Sequence, residues 1–169
     1  MGVATARSRP AFACPPALRF RGVAAWLTQP AGALVQIQEP VRGTSELAEW
    51  LVGPAYDLLA ARFPDRDGLL FVLDMTEMLG RSAAARSIML RKARTIGSRF
   101  SRVLLVPPLV TPPMYLQSMQ LTFVLLRSVG IAAEFVDSSA TAIERLGLRP
   151  FDEAAPPVER RRDELSVSE

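Results

Sequence analysis

The chain has no histidine, one cysteine and one lysine among its 169 residues. Without histidine there is no imidazole to activate a serine, to relay a proton near neutral pH or to complete the common zinc sites, and most hydrolase schemes are excluded. Cys14 has no partner for an internal disulfide, which points to a cytoplasmic chain. No apolar run reaches the roughly 18 to 20 residues of a bilayer-spanning helix. The first twenty residues also lack the continuous apolar stretch of an export signal. Acids are missing from a long central block: between Met78 and Ala133 there is no Asp or Glu, while Arg81, Arg86, Arg91, Lys92, Arg94, Arg99, Arg102 and Arg127 all fall there. A net charge of only +3 therefore conceals a one-signed region that can present a positive face to an acidic protein, a nucleotide, a lipid headgroup or a nucleic acid. The excess of arginine over a single lysine, with abundant alanine and proline, is also what GC-rich coding produces, and solvated filler is the simpler reading of much of that arginine.

What is present suits one domain. With 49% hydrophobic residues the chain can bury a single good core. Residues 1–16 (MGVATARSRPAFACPP) are small, basic and without period, and 150–169 are charged and Pro-rich; both read as disordered tails around a domain at 17–149. The charges of ERRRDEL, 159–165, nearly cancel, which favours a solvated tail over a nucleic-acid arm. Segments 17–27 and 33–38 alternate around the turn residues QPAG and predict a hairpin. Thr44 or Ser45 caps a helix that places Leu47, Trp50, Leu51, Ala55, Leu58 and Leu59 on one face. Pro54 must bend or interrupt that helix, because it removes a backbone donor and crowds the preceding turn.

LLFVLDM, 69–75, is apolar without alternation, which predicts a strand covered on both faces, as in a parallel sheet. Ser82 caps a helix running to about Arg99, with Arg86, Arg91 and Arg94 on its wet side. RVLLVPP, 102–108, is a further core strand, stopped by its prolines. Thr111 and Pro112 open a helix ended by Gly130, 131–137 is a strand, and Ser138 or Ser139 caps a last helix ended by Gly147. Strands alternating with helices make right-handed crossovers. The expected fold is therefore α/β, a mixed and mostly parallel sheet of about five strands flanked by about four helices.

Asp74 and Asp137 both end predicted strands, at the carboxyl edge of the sheet where α/β proteins bind ligands. Paired there they would suit a magnesium ion, but no Gly-rich phosphate loop accompanies them, and such aspartates more often accept backbone hydrogen bonds in the turn. The expectation is a protein that is not an enzyme and needs no metal or cofactor. MYLQSMQLTFVLLRSV, in contrast, is apolar nearly all round. That is more apolar surface than one sheet face covers, so Met114, Tyr115, Met119 and Phe123 are candidates for a homo-oligomer interface.

The half of the chain running from GLLFVLDMTEM through RVLLVPP to GIAAEFVDSSATAIERLG resembles a STAS-type domain, the fold of the anti-sigma-factor antagonists, in its divergent form from GC-rich bacteria. The resemblance covers roughly residues 17 to 148 and rests on element order, on Asp74 ending an apolar strand before a capped helix, and on the final strand-Asp-Ser-helix unit. It implies a regulatory interaction module in which a Ser or Thr at the helix start is phosphorylated by a partner kinase that is also the anti-sigma factor. Carried onto LDMTEMLGRSAAAR, it makes Ser82 the candidate phosphorylation site and Asp74, Thr76, Met78, Leu79, Arg81, Ser82 and Arg86 the candidate partner-binding edge. The sequence departs from the family's Asp-Ser-Ser-Gly or Asp-Thr-Ser-Gly cluster, since LGRS sets its glycine before the serine. Two other readings of the residues stand beside this one: a structural subunit assembling through 114–129, and an anion-binding protein using the basic block 78–133.

Overall fold

A computed structural model describes residues 9–109 and 113–153, and of Tyr115 the backbone alone. The chain runs β1 (Leu18–Phe20), β2 (Val23–Gln29), β3 (Gly32–Ile37), β4 (Val41–Gly43), α1 (Ser45–Trp50), a π-helical segment Leu51–Ala55, and α2 (Tyr56–Arg62). It continues through β5 (Leu69–Asp74), β6 (Met78–Arg81), α3 (Ala83–Ile96), β7 (Phe100–Val106), α4 (Pro113–Ser128), β8 (Ala132–Phe135), α5 (Ser139–Leu146) and β9 (Arg149–Pro150). The π segment holds Pro54, so the missing donor is absorbed by a local widening of one continuous helical arm.

The main sheet has the order β1-β2-β3-β5-β7-β8, with β9 paired to the last residues of β2. The strands β3, β5, β7 and β8 are parallel, and Val72 of β5 lies beside Leu34 on one side and Leu104 on the other. The segments 69–75, 102–108 and 131–137 thus lie side by side with aligned carboxyl ends, and the first of them, β5, is flanked on both sides as the unbroken apolar run at 69–75 predicts. The segment 17–27, expected as one strand, breaks at Arg21, whose φ of 50° turns the chain so that β1 pairs back on β2. β4 and β6 form a separate two-stranded parallel sheet that the sequence did not suggest.

Alternate residues of the strands feed two cores. On one face Val23, Val35, Ile37, Leu73 and Met75 meet the helical arm, α3 and α4 through Leu47, Trp50, Leu51, Met89 and Met119. On the other face Ala24, Trp26, Leu34, Val72, Leu104 and Val106 meet Ala142 and Ile143 of α5 and also Phe12. Residues 9–16 therefore do not belong to a disordered tail. Phe12 is buried edge-on against Trp26, the Trp26 indole donates to the Cys14 carbonyl at 3.0 Å, and the Ala11 N–H donates to Gln36 at 2.9 Å. One aromatic ring filling the strip of sheet that α5 leaves open is enough to dock a segment with no period of its own. At the other end Phe151 also docks, its N–H donating to the Leu27 carbonyl at 2.9 Å and its ring meeting Phe63 edge-on. Residues 1–8, 154–169 and the Thr111–Pro112 helix start lie outside the described residues.

Candidate functional site

The segment leaving β5 turns at once. Asp74 is buried; its carboxylate accepts the Thr76 N–H at 2.9 Å, the Thr76 hydroxyl and, across the sheet's second face, the Ser139 hydroxyl at the start of α5. Gln36 of β3 completes the cluster, its amide lying 3.5 Å from Asp74 while it also donates to the Arg9 carbonyl at 3.1 Å. Asp74 is therefore a joint inside the protein and offers nothing to a partner. Asp137 stands exposed beyond β8 with β7 between it and Asp74, so the two carboxylates do not pair.

Beyond the turn, Met78 enters the first-face core and is likewise removed from the candidate docking edge. Thr76 is half-buried by its bonds to Asp74 and to the Leu109 N–H. Leu79 points outward with 67% of its surface exposed. Gly80 has a φ of 126°, a conformation closed to ordinary side chains, which explains the glycine of LGRS standing before the serine. Arg81 follows, half-buried.

Ser82 is fixed from both sides. Its N–H donates to the Gly43 carbonyl of β4 at 2.9 Å, and its hydroxyl accepts the Ala85 N–H at 3.0 Å as the N-cap of α3, while the residue stays exposed. β4 can come this close to β6 because residue 43 is glycine: a Cβ there would sit 2.7 Å from the Arg81 Cβ. No acidic residue occupies the first turn of α3. Arg86, one turn on, is exposed and donates to the Ser118 hydroxyl of α4 at 2.7 Å, tying the two helices together. Of the candidate edge, Leu79, Ser82 and Arg86 thus share a surface, with Thr76 and Arg81 half-buried beside it.

The basic block does not form one face. Arg102 pairs with Glu134 at 2.7 Å on the sheet's second face, and Arg127 donates to the Ala133 carbonyl. Arg99 reaches the carbonyls of Phe63, Pro64 and Arg66 and so clamps the turn before β5. The residues left outermost are Arg91, Lys92 and Arg94 along α3.

On α4 the candidate interface divides. Met119 and Phe123 are buried at 2% and 5% exposure against the sheet and cannot meet a second chain. The sequence pattern, apolar on all sides, gave no means of separating the two faces. Met114 is 80% exposed and continues an outward stripe through Leu121, Val124 and Leu125. The side chain of Tyr115 lies outside the described residues.

Neither a family model nor a curated protein matches the chain. Among solved structures, an uncharacterized protein of the DUF3478 family with a SpoIIAA-like fold, from Shewanella loihica PV-4, aligns with a TM-score of 0.52 at 17% identity, over 74% of this chain and 94% of that one. The chain has the SpoIIAA-like fold, the STAS fold of the anti-sigma-factor antagonists. Among the described residues no helix is long and apolar enough to cross a membrane.

Proposed function

We propose that the protein is a non-enzymatic regulatory module that docks a protein partner through the end of β6 and the start of α3. The observation that carries this reading is Ser82: an exposed hydroxyl on an acid-free helix start, held in place by the Gly43 carbonyl, beside an exposed Leu79 and Arg86. A helix N-terminus favours added negative charge, so phosphorylation there reverses the charge of the edge without unfolding it. Leu79 supplies the apolar contact and Arg86 the complement to acids on the partner. The SpoIIAA-like fold fits such a module, and the chemistry of the edge suits an anti-sigma factor with kinase activity or another regulatory protein in the cytoplasm. The test is to identify a partner by co-purification and to compare its affinity for the wild type, Ser82→Ala and Ser82→Glu. We expect Ser82→Ala to bind like the wild type and Ser82→Glu to bind at least tenfold more weakly. Equal affinity for all three would end the switch reading.

A second reading has its own observation, the exposed stripe Met114, Leu121, Val124 and Leu125. Patches of this kind mark association surfaces, and two copies of α4 laid together would cover it. Sedimentation at rising concentration distinguishes the cases: a dimer that Leu121→Glu returns to monomer supports self-assembly, and a wild-type monomer at all concentrations removes it.

A further inference from the structure

Between α3 and the first face of the sheet lies a cavity of about 140 Å³. Its walls come from β5, β7, the helical arm, α3 and α4, and Leu73, Met89, Ala93, Ile96, Phe100 and Met119 are representative. Native interiors leave few voids larger than a water molecule, so one of this size has a structural cause. Along one row of α3 at four-residue spacing stand Ala85, Met89 and Ala93, followed by Gly97 at its C-cap, all buried or half-buried and all but Met89 small. The helix leans on α1 and is tied to α4 through Arg86 and Ser118. It therefore lies over the sheet without filling the space beneath it, and Met89, Leu90, Ala93 and Ile96 stay half-buried.

The lining is apolar with few exceptions. Tyr56 and Thr122 contribute hydroxyls, which already meet Arg99 and the Ser118 carbonyl. Among the lining residues Arg81 is the one charged side chain, and it enters from β6. For comparison, an apolar cavity of about 150 Å³ stays dry and takes up benzene.

We propose that this cavity is a binding site for a medium-chain alkyl carboxylate, with a tail of roughly six to eight carbons under α3 and its carboxylate at Arg81. The tail replaces the missing packing, and the guanidinium gives the head a charge-assisted partner. The site adjoins the docking edge at Arg81, the last residue of β6, whereas Leu79, Ser82 and Arg86 do not line it. The proposal stands or falls independently of the docking reading.

The test uses the full chain with its methionine methyl groups labelled with carbon-13, titrated with octanoate and, separately, with 1-octanol. Met89 and Met119 line the cavity, whereas Met114 is on the outer face of α4. We expect octanoate to shift the Met89 and Met119 signals, to leave Met114 in place, and to bind at least tenfold more tightly than octanol. Arg81→Met should erase that tenfold preference while octanol still binds. Ala93→Leu, which occupies the cavity, should abolish both titrations. Shifts confined to Met114 would mean adsorption on the outer stripe and would overturn the proposal. So would equal affinity of the wild type for the two probes, or the absence of any titration. The wild-type titration decides the matter even if a variant fails to fold.

Discussion

At the scale of single residues, the segment after β5 separates into positions that hold the protein together and positions that face outward, and the two kinds respond differently to substitution. Asp74 gathers the Thr76 N–H, the hydroxyls of Thr76 and Ser139, and the Gln36 amide. Asp74→Ala leaves those buried donors unsatisfied and should destabilise the protein by about 3 kcal/mol in urea unfolding; an unchanged midpoint would show that the cluster is not a joint. Ser82→Ala removes only a cap and should cost about 1 kcal/mol, a small enough loss that a change in partner binding can be read as a change at the surface. The sequence marked both residues as polar points around a core strand. It did not tell them apart, because whether an aspartate after a strand faces solvent depends on where α5, some 65 residues further on, places Ser139.

At the scale of elements, the long apolar runs and the capped amphipathic helices were legible, because burial on both faces and the Ser82 and Ser138 caps leave local marks. The pairing of β4 with β6 was not. Neither VRG nor MLGR has a strand signature, and the pairing depends on the close approach at Gly43. Gly43→Ala should separate the two strands while leaving the main sheet intact: hydrogen exchange at the Ser82 amide, now bonded to the Gly43 carbonyl, should quicken at least tenfold, with amides of β5 unaffected. Uniform exchange changes across the sheet, or none, would contradict this. The helix above, α3, keeps Arg86, Arg91 and Arg94 exposed on the wet side expected of them, yet its small residues Ala85 and Ala93 hold less volume than the site offers. At roughly 24 cal/mol per Å³, a void of 140 Å³ costs about 3 kcal/mol when empty.

At the scale of the whole molecule, the helical arm, α3 and α4 cover one side of the sheet, and α5 with residues 9–16 covers the other. The segment 9–16 escaped the sequence reading because its docking rests on one ring and a few hydrogen bonds to distant residues, with no periodicity to reveal it. Phe12→Ala should lower stability by about 2 kcal/mol, less than for an enclosed Phe because the segment can peel away. In a chain with Trp50 replaced by Phe, Phe12→Ala should shift the emission of Trp26 to the red, and unchanged emission would mean the segment does not cover the indole. This arrangement leaves the carboxyl edge around Leu79, Ser82 and Arg86 as the surface on which the functional account rests. The most direct measurement is a hydrogen-exchange footprint of a co-purified partner on the wild-type chain. The account predicts protection centred on 79–86 that an excess of unmodified chain removes and an excess of the Ser82-phosphorylated chain does not; protection confined to α5 or to the outer stripe of α4, with 79–86 unaffected, would contradict it.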